Sequence, residues 1–175
     1  MLREKMKNKK GFTLIEIIVV IVILAVLMAV AVPSVMSYMN EGQKAKYETI
    51  ARAALINTQT GVAEDISHDG KANEDNEVIK WVEGLDETTY KTDYVKYGTK
   101  KSYGSNVERL YIQKIELSGT KDSGDNDLVS VVYFIKLKNV TGYRKVEITV
   151  NGKMTVASSN VAGVTPATKY TFTGV

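Results

Sequence analysis

The chain has no cysteine and a single histidine, His68, among its 175 residues. Disulfides and thiolate chemistry are therefore excluded, and an exported domain of this composition must be held by its core alone. Without cysteine there is neither a Cys/His zinc site nor a Cys/His nucleophile pair, and one histidine in a polar stretch gives a His-based triad no support. No glycine-rich phosphate cradle follows a strand pattern. Net charge is scarce too. In the first eleven residues Arg3, Lys5, Lys7, Lys9 and Lys10 face only Glu4, giving +4 of a total of +3, so the remainder from Phe12 onward is −1. Bulk charge thus lends no support to a nucleic-acid partner. No cofactor and no catalytic residue is expected.

What the chain does have is a long apolar run close to its start. From Phe12 to Val32 there are 21 residues, and Glu16 is the only charged one. At about 1.5 Å per residue a helix of that length spans roughly 31 Å, the thickness of a bilayer hydrocarbon core. The basic residues before it should stay cytoplasmic, sending everything after Val32 outward. An ionisable group inside such a run is costly and defaults to a functional role with a partner. Three readings compete: a plain single-pass anchor, a secretory signal peptide and a processed precursor. Ala29-Val30-Ala31 matches a signal-peptidase site, but the run is about twice the usual ~7–15-residue core of a signal peptide and Glu16 interrupts its front.

The third reading rests on particular residues. Lys9-Lys10-Gly11 followed by Phe12-Thr13-Leu14-Ile15-Glu16 resembles the processing site of type IV pilins. The resemblance covers about the first third of the chain, and its short basic leader and Phe12 are similar to the type IVa branch. It implies that a dedicated peptidase cuts after Gly11 and methylates the new amino-terminal Phe12. It also places the acid of the fifth mature position at Glu16 and the proline closing the apolar run at Pro33. Gly11 and Phe12 are then the processing residues, and Phe12, Glu16 and Pro33 the assembly residues. The absence of cysteine departs from members of Gram-negative origin, in which a disulfide closes the carboxy-terminal loop, and is similar to cysteine-free pilins of Gram-positive clostridia.

Physical chemistry points the same way. Cleavage after Gly11 creates an amine one helical turn from Glu16, and an unpaired carboxylate in an apolar interior costs several kcal/mol. The expectation is that the Phe12 amine of one copy pairs with Glu16 of a neighbour and sets register. Pro33 lacks a donor and disfavours helical geometry at Val32, so a kink or a melted turn is expected there.

Beyond it, Val35, Met36, Met39, Tyr47, Ile50, Ala51, Ala54, Leu55, Thr58 and Val62 recur at three- and four-residue steps, with charged side chains opposite. Gly42 is a second soft point. Residues 66–76 are expected to form a loop, and residues 77–84 a short helix carrying Ile79, Trp81 and Val82. Residues 85–106 read as irregular, with Tyr90, Tyr94, Tyr97 and Tyr103 interleaved with Lys91, Lys96, Lys100 and Lys101. Strands are predicted over residues 107–117, 127–138, 143–150, 153–158 and, as a short last one, 169–173. Asn151-Gly152 joins the third and fourth as a two-residue hairpin.

The fold class expected is α+β: a long amino-terminal helix, its hydrophobic half protruding and kinked at Pro33, packed on a roughly four-stranded antiparallel sheet. Its parts are a basic leader (1–11), a membrane or filament-core half-helix (12–32), an amphipathic half-helix (33–65) and a head (66–175). Asp122, Asp125 and Asp127 form an acidic turn whose spacing fails the calcium-loop pattern, so it is read as solvated and no metal is expected. The Lys/Tyr stretch suits stacking on DNA or a surface glycan, against the plainer reading of sheet-edge packing. Asn139-Val140-Thr141 matches a short glycosylation pattern.

The resemblance implies a non-enzymatic major pilin, a structural subunit for adhesion, twitching motility or biofilm formation. Its partners would be other copies of itself, the prepilin peptidase/methylase, the assembly platform and ATPases indirectly, the membrane before assembly, and a host surface or DNA. It would sit in the cytoplasmic membrane with its amino terminus inside and then in an extracellular pilus. The alternatives are a minor pilin or pseudopilin of a type II secretion or DNA-uptake system, and a membrane-anchored binding protein that never polymerises.

Overall fold

The structure, a computed structural model, describes residues 11–70, 72, 77–84, 101–121 and 123–174. It divides into two compact units, residues 1–43 and 44–175. Helix α1 runs from Leu14 to Asp69 and belongs to both. Helix α2 spans Glu77–Val82, and the strands are β1 (Val107–Leu117), β2 (Leu128–Leu137), β3 (Tyr143–Thr149), β4 (Met154–Val161) and β5 (Thr171–Phe172).

In the first unit α1 is helical without a break through Pro33, so the melted turn expected at Val32–Pro33 does not form. Pro33 still lacks the N–H that would reach the Ala29 carbonyl, and its fixed φ of about −65° is compatible with the helix, which continues with one bond fewer. The loop expected from residue 66 begins later, because α1 continues to Asp69 and ends at Gly70, whose φ of 76° only glycine adopts without strain. Lys71 and residues 73–76 of that expected loop lie outside the described residues.

In the second unit one stripe of α1 is buried: Tyr47, Ala51, Ala54, Thr58 and Val62, at steps of three and four. It packs in one core with Leu110, Ile112, Ile115 and Leu117 of β1, Val131, Tyr133 and Ile135 of β2, and Val146 and Ile148 of β3. The Thr58 and Tyr133 hydroxyls, 2.7 Å apart, hydrogen-bond across this core, and Thr58 also donates to the Ala54 carbonyl at 2.9 Å. Burial pushes the Tyr133 hydroxyl's pKa well up, with the Thr58 bond opposing. Helix α2 seats on the helix beside Gly61, where an added Cβ would come within 2.7 Å of the Val78 side chain. Glycine costs helix propensity there and lets Val78 and Trp81 close on the backbone.

The sheet has five strands in the order β4-β3-β2-β1-β5, one more than the rough count from sequence. β1 to β4 pair antiparallel, whereas β5 joins β1 in parallel at Glu116–Thr171 and Leu117–Phe172. The Asn151-Gly152 turn joins β3 to β4 with Gly152 at φ 83°. The edge strand β4 carries neither charge nor proline. A bulge blunts it instead: Arg144 pairs with Asn160 and Val146 with Val156, leaving three β4 residues opposite Lys145. Arg144 fills the gap. Its Nε donates to Asn160 Oδ1 at 2.6 Å and its Nη1 to the Ala157 and Ser158 carbonyls at 2.9 Å each, while its guanidinium lies 5.3 Å from the Tyr47 ring centre.

Candidate processing and assembly segment

The start of α1 is a capping box built from two residues of the apolar run. The Thr13 hydroxyl accepts the Glu16 N–H at 3.3 Å, and Glu16 Oε2 accepts the Thr13 N–H at 3.3 Å and its hydroxyl at 3.4 Å. Thr13 is the N-cap and Glu16 the third helical residue, so each satisfies an amide the helix leaves open. The carboxylate also sits at the positive end of the helix dipole, where negative charge is favoured. A carboxylate in this place thus has a local partner in its own chain. Thr13 was missed as a functional residue in the sequence, although the Thr-x-x-Glu spacing is a legible capping signal.

Around this cap the apolar surface is exposed. Gly11 and Phe12 are exposed, Phe12 by 80%, and from Gly11 to Lys46 every residue is exposed. Leu14, Ile15, Val26, Met28 and Val30 are each more than half exposed, on all sides of the helix. Monomers rarely show so large a contiguous apolar surface to water. By length and composition α1 includes a stretch able to cross a membrane, near the amino terminus. Of the sequence-predicted residues, Glu16 is the third residue of α1, whereas Phe12 precedes the helix. Pro33 lies further along the same exposed surface and touches neither group.

The other candidates divide. Asp122 lies outside the described residues, as do Tyr90, Lys91, Tyr94, Lys96, Tyr97 and Lys100. Among the described residues no group of three or more histidine, aspartate or glutamate side chains is arranged to hold a metal ion. The acidic turn is closed by Asn126, whose amide donates to the Ser118 and Thr120 carbonyls at 2.5 and 2.9 Å. Lys101 and Tyr103, at the end of the Lys/Tyr stretch, turn inward: the Lys101 ammonium is 4.5 Å from the Trp81 ring centre, and the Tyr103 hydroxyl donates to the Val82 carbonyl at 2.6 Å. Those two therefore pack the head. Asn139 sits in the exposed turn between β2 and β3 at φ 62°.

Residues 6–32 match the family described as the prokaryotic N-terminal methylation motif. The matched stretch includes Gly11, Phe12 and Glu16, and it supports a type IV pilin-like prepilin with a class III signal. No curated protein and no solved structure matches the chain. The motif and the α+β fold point to a structural protein, implying processing by a prepilin peptidase and membrane anchoring before assembly.

Proposed function

We propose, from a pilin-like prepilin as premise, that this chain is the precursor of a major type IV pilin. The observation that carries the reading is an uninterrupted exposed apolar helix, headed by a methylation motif, in a chain whose second unit has a closed core of its own. A peptidase cuts after Gly11 and Phe12 becomes the methylated amino terminus. Copies wait in the membrane and leave it one at a time, exchanging lipid for the apolar helices of other copies. Lipid and a filament core are similarly apolar, so the transfer requires little net desolvation and is compatible with reversible assembly.

Glu16 then has two partners in turn. Before assembly the Thr13 cap holds its carboxylate. After cleavage the Phe12 amine of a neighbouring copy offers a full positive charge, and a helix docked out of register leaves that charge unpaired in an apolar interior. Pro33 marks the end of the buried half, where the helix lacks one backbone donor. Work for extension and retraction comes from separate ATPases through the assembly platform. Adhesion, twitching motility and biofilm formation are the roles such a filament serves at the cell surface.

The test is mass spectrometry of protein sheared from the cell surface. The expected result is an abundant chain beginning at N-methylated Phe12. A chain beginning at Val32 supports a secreted protein instead, and a trace component in filaments built of another subunit supports a minor pilin or pseudopilin.

A further inference from the structure

The filament reading leaves a buried carboxyl group of the head unused. Glu83 follows α2, is only 8% exposed, and through Oε1 accepts the Ile112 N–H of β1 at 2.8 Å. The Ile112 carbonyl accepts the Ala167 N–H at 2.6 Å, and a few residues on β5 takes over the same side of β1. A side-chain carboxyl thus stands where a neighbouring strand's carbonyl would otherwise be, tying the turn after α2 to a sheet edge.

The groups facing Glu83 are engaged elsewhere. From β1 come Glu108, which accepts from Lys136 at 2.6 Å, and Arg109, whose guanidinium lies 5.7 Å from the Tyr111 ring centre. From the segment entering β1 come Lys101, over Trp81, and Tyr103, bonded to the Val82 carbonyl. From α1 comes the neutral Asn57, which donates to the Tyr103 hydroxyl at 3.4 Å. Among the described residues no cation is within ion-pair distance of Glu83, and Arg109 acts on it through space. Ionised, the carboxylate is a buried charge with one amide for company, which is an expensive state.

We propose that Glu83 is a pH-responsive clasp: protonated, its carboxyl holds the turn after α2 against the edge of β1, and ionised, it draws that turn open towards water. A cavity of about 300 Å³, lined by Glu83, Gly84, Lys101, Tyr103 and Arg109 among others, gives the carboxyl room to move. Burial raises its pKa from the ordinary 4.5 to about 7, outweighing the opposing Ile112 N–H and Arg109. The closed form therefore holds the proton more tightly than the open form does. Closure is fully favoured below about pH 4.5, weakens as pH rises, and loses this contribution by about pH 7. The device does not depend on the filament reading.

Amide hydrogen exchange on the full chain in detergent micelles tests it. The opening equilibrium at the Ile112 amide, corrected for the intrinsic exchange rate, should rise by up to about tenfold per pH unit between pH 5 and 7 and flatten above. Glu83→Gln keeps the acceptor and has no proton to lose, so its profile should be flat. Parallel profiles for the two proteins overturn the proposal. If Glu83→Gln does not fold, the Glu83 carboxyl-carbon shift in the unaltered chain decides: a midpoint near 7 supports the clasp, and one near 4.5 overturns it.

Discussion

Between Leu14 and Met39, isoleucine, valine, leucine and methionine point outward on every side of α1; between Tyr47 and Val62 the same helix hides one stripe and shows mostly polar side chains elsewhere, with Ile56 the exposed exception. The second stretch is an ordinary half-buried helix whose apolar face meets a sheet in its own chain. The first is apolar all round and exposed along its length, the kind of surface that lipid or other copies would cover. The contrast extends to the two carboxylates. Glu16 sits on an exposed helix start and is held by a cap, whereas Glu83 is enclosed in a head with no cation within ion-pair distance among the described residues. One unit is stable through what surrounds it, the other through what it encloses.

That difference is open to attack from either side. The largest effect is expected from Glu16→Ala. If the acid specifies register between copies, processing at Phe12 persists and surface filaments fall to background, as read by electron microscopy and by the mass of the membrane-retained chain. Normal filaments from processed Glu16→Ala protein contradict the pairing.

Next comes Trp81→Ala, in the head. Trp81 is 2% exposed and packs by Gly61, so its removal should cost about 3–5 kcal/mol of head stability. Thermal unfolding should show that loss while cleavage after Gly11 continues, separating the two units. Arg144→Met is expected to be milder, at about 1–3 kcal/mol, because it strands the Ala157 and Ser158 carbonyls at the β4 bulge while keeping the stem. Faster exchange of β4 amides with unchanged β1 amides is the signature. Thr13→Val should be smallest, at roughly 1 kcal/mol of helix start. It removes the hydroxyl of the cap and keeps the shape, so the Glu16 amide exchanges faster while filaments still form.

Much of this was legible in the sequence where the signal is local. β1 runs over the predicted residues 107–117, and the Asn151-Gly152 hairpin falls where its turn chemistry puts it. The α1 stripe Tyr47–Ala51–Ala54–Thr58–Val62 follows from helical period alone. What escaped depends on distant partners. β5 keeps only two residues of the predicted 169–173, since a parallel strand that short exists through β1's edge. Glu83 reads as one more helix-end acid until Ile112, 29 residues on, supplies its amide. The role of Arg144 requires a bulge that no spacing announces. Of the kink or melted turn expected at Val32–Pro33, the melted turn does not form, since one lost backbone bond leaves the helix on either side intact. Thr13 was within reach, as the cap spacing is local.

The cysteine-free chain permits a direct test of the central claim, that other copies cover the exposed helix. Single cysteines at Val19, Val20, Ile21 and Val22, four successive positions that sample every face, can be oxidised in sheared surface material. A disulfide-linked dimer from at least one position, absent while the chain remains in the membrane unassembled, is the predicted result. Monomer alone at all four positions in that material contradicts it.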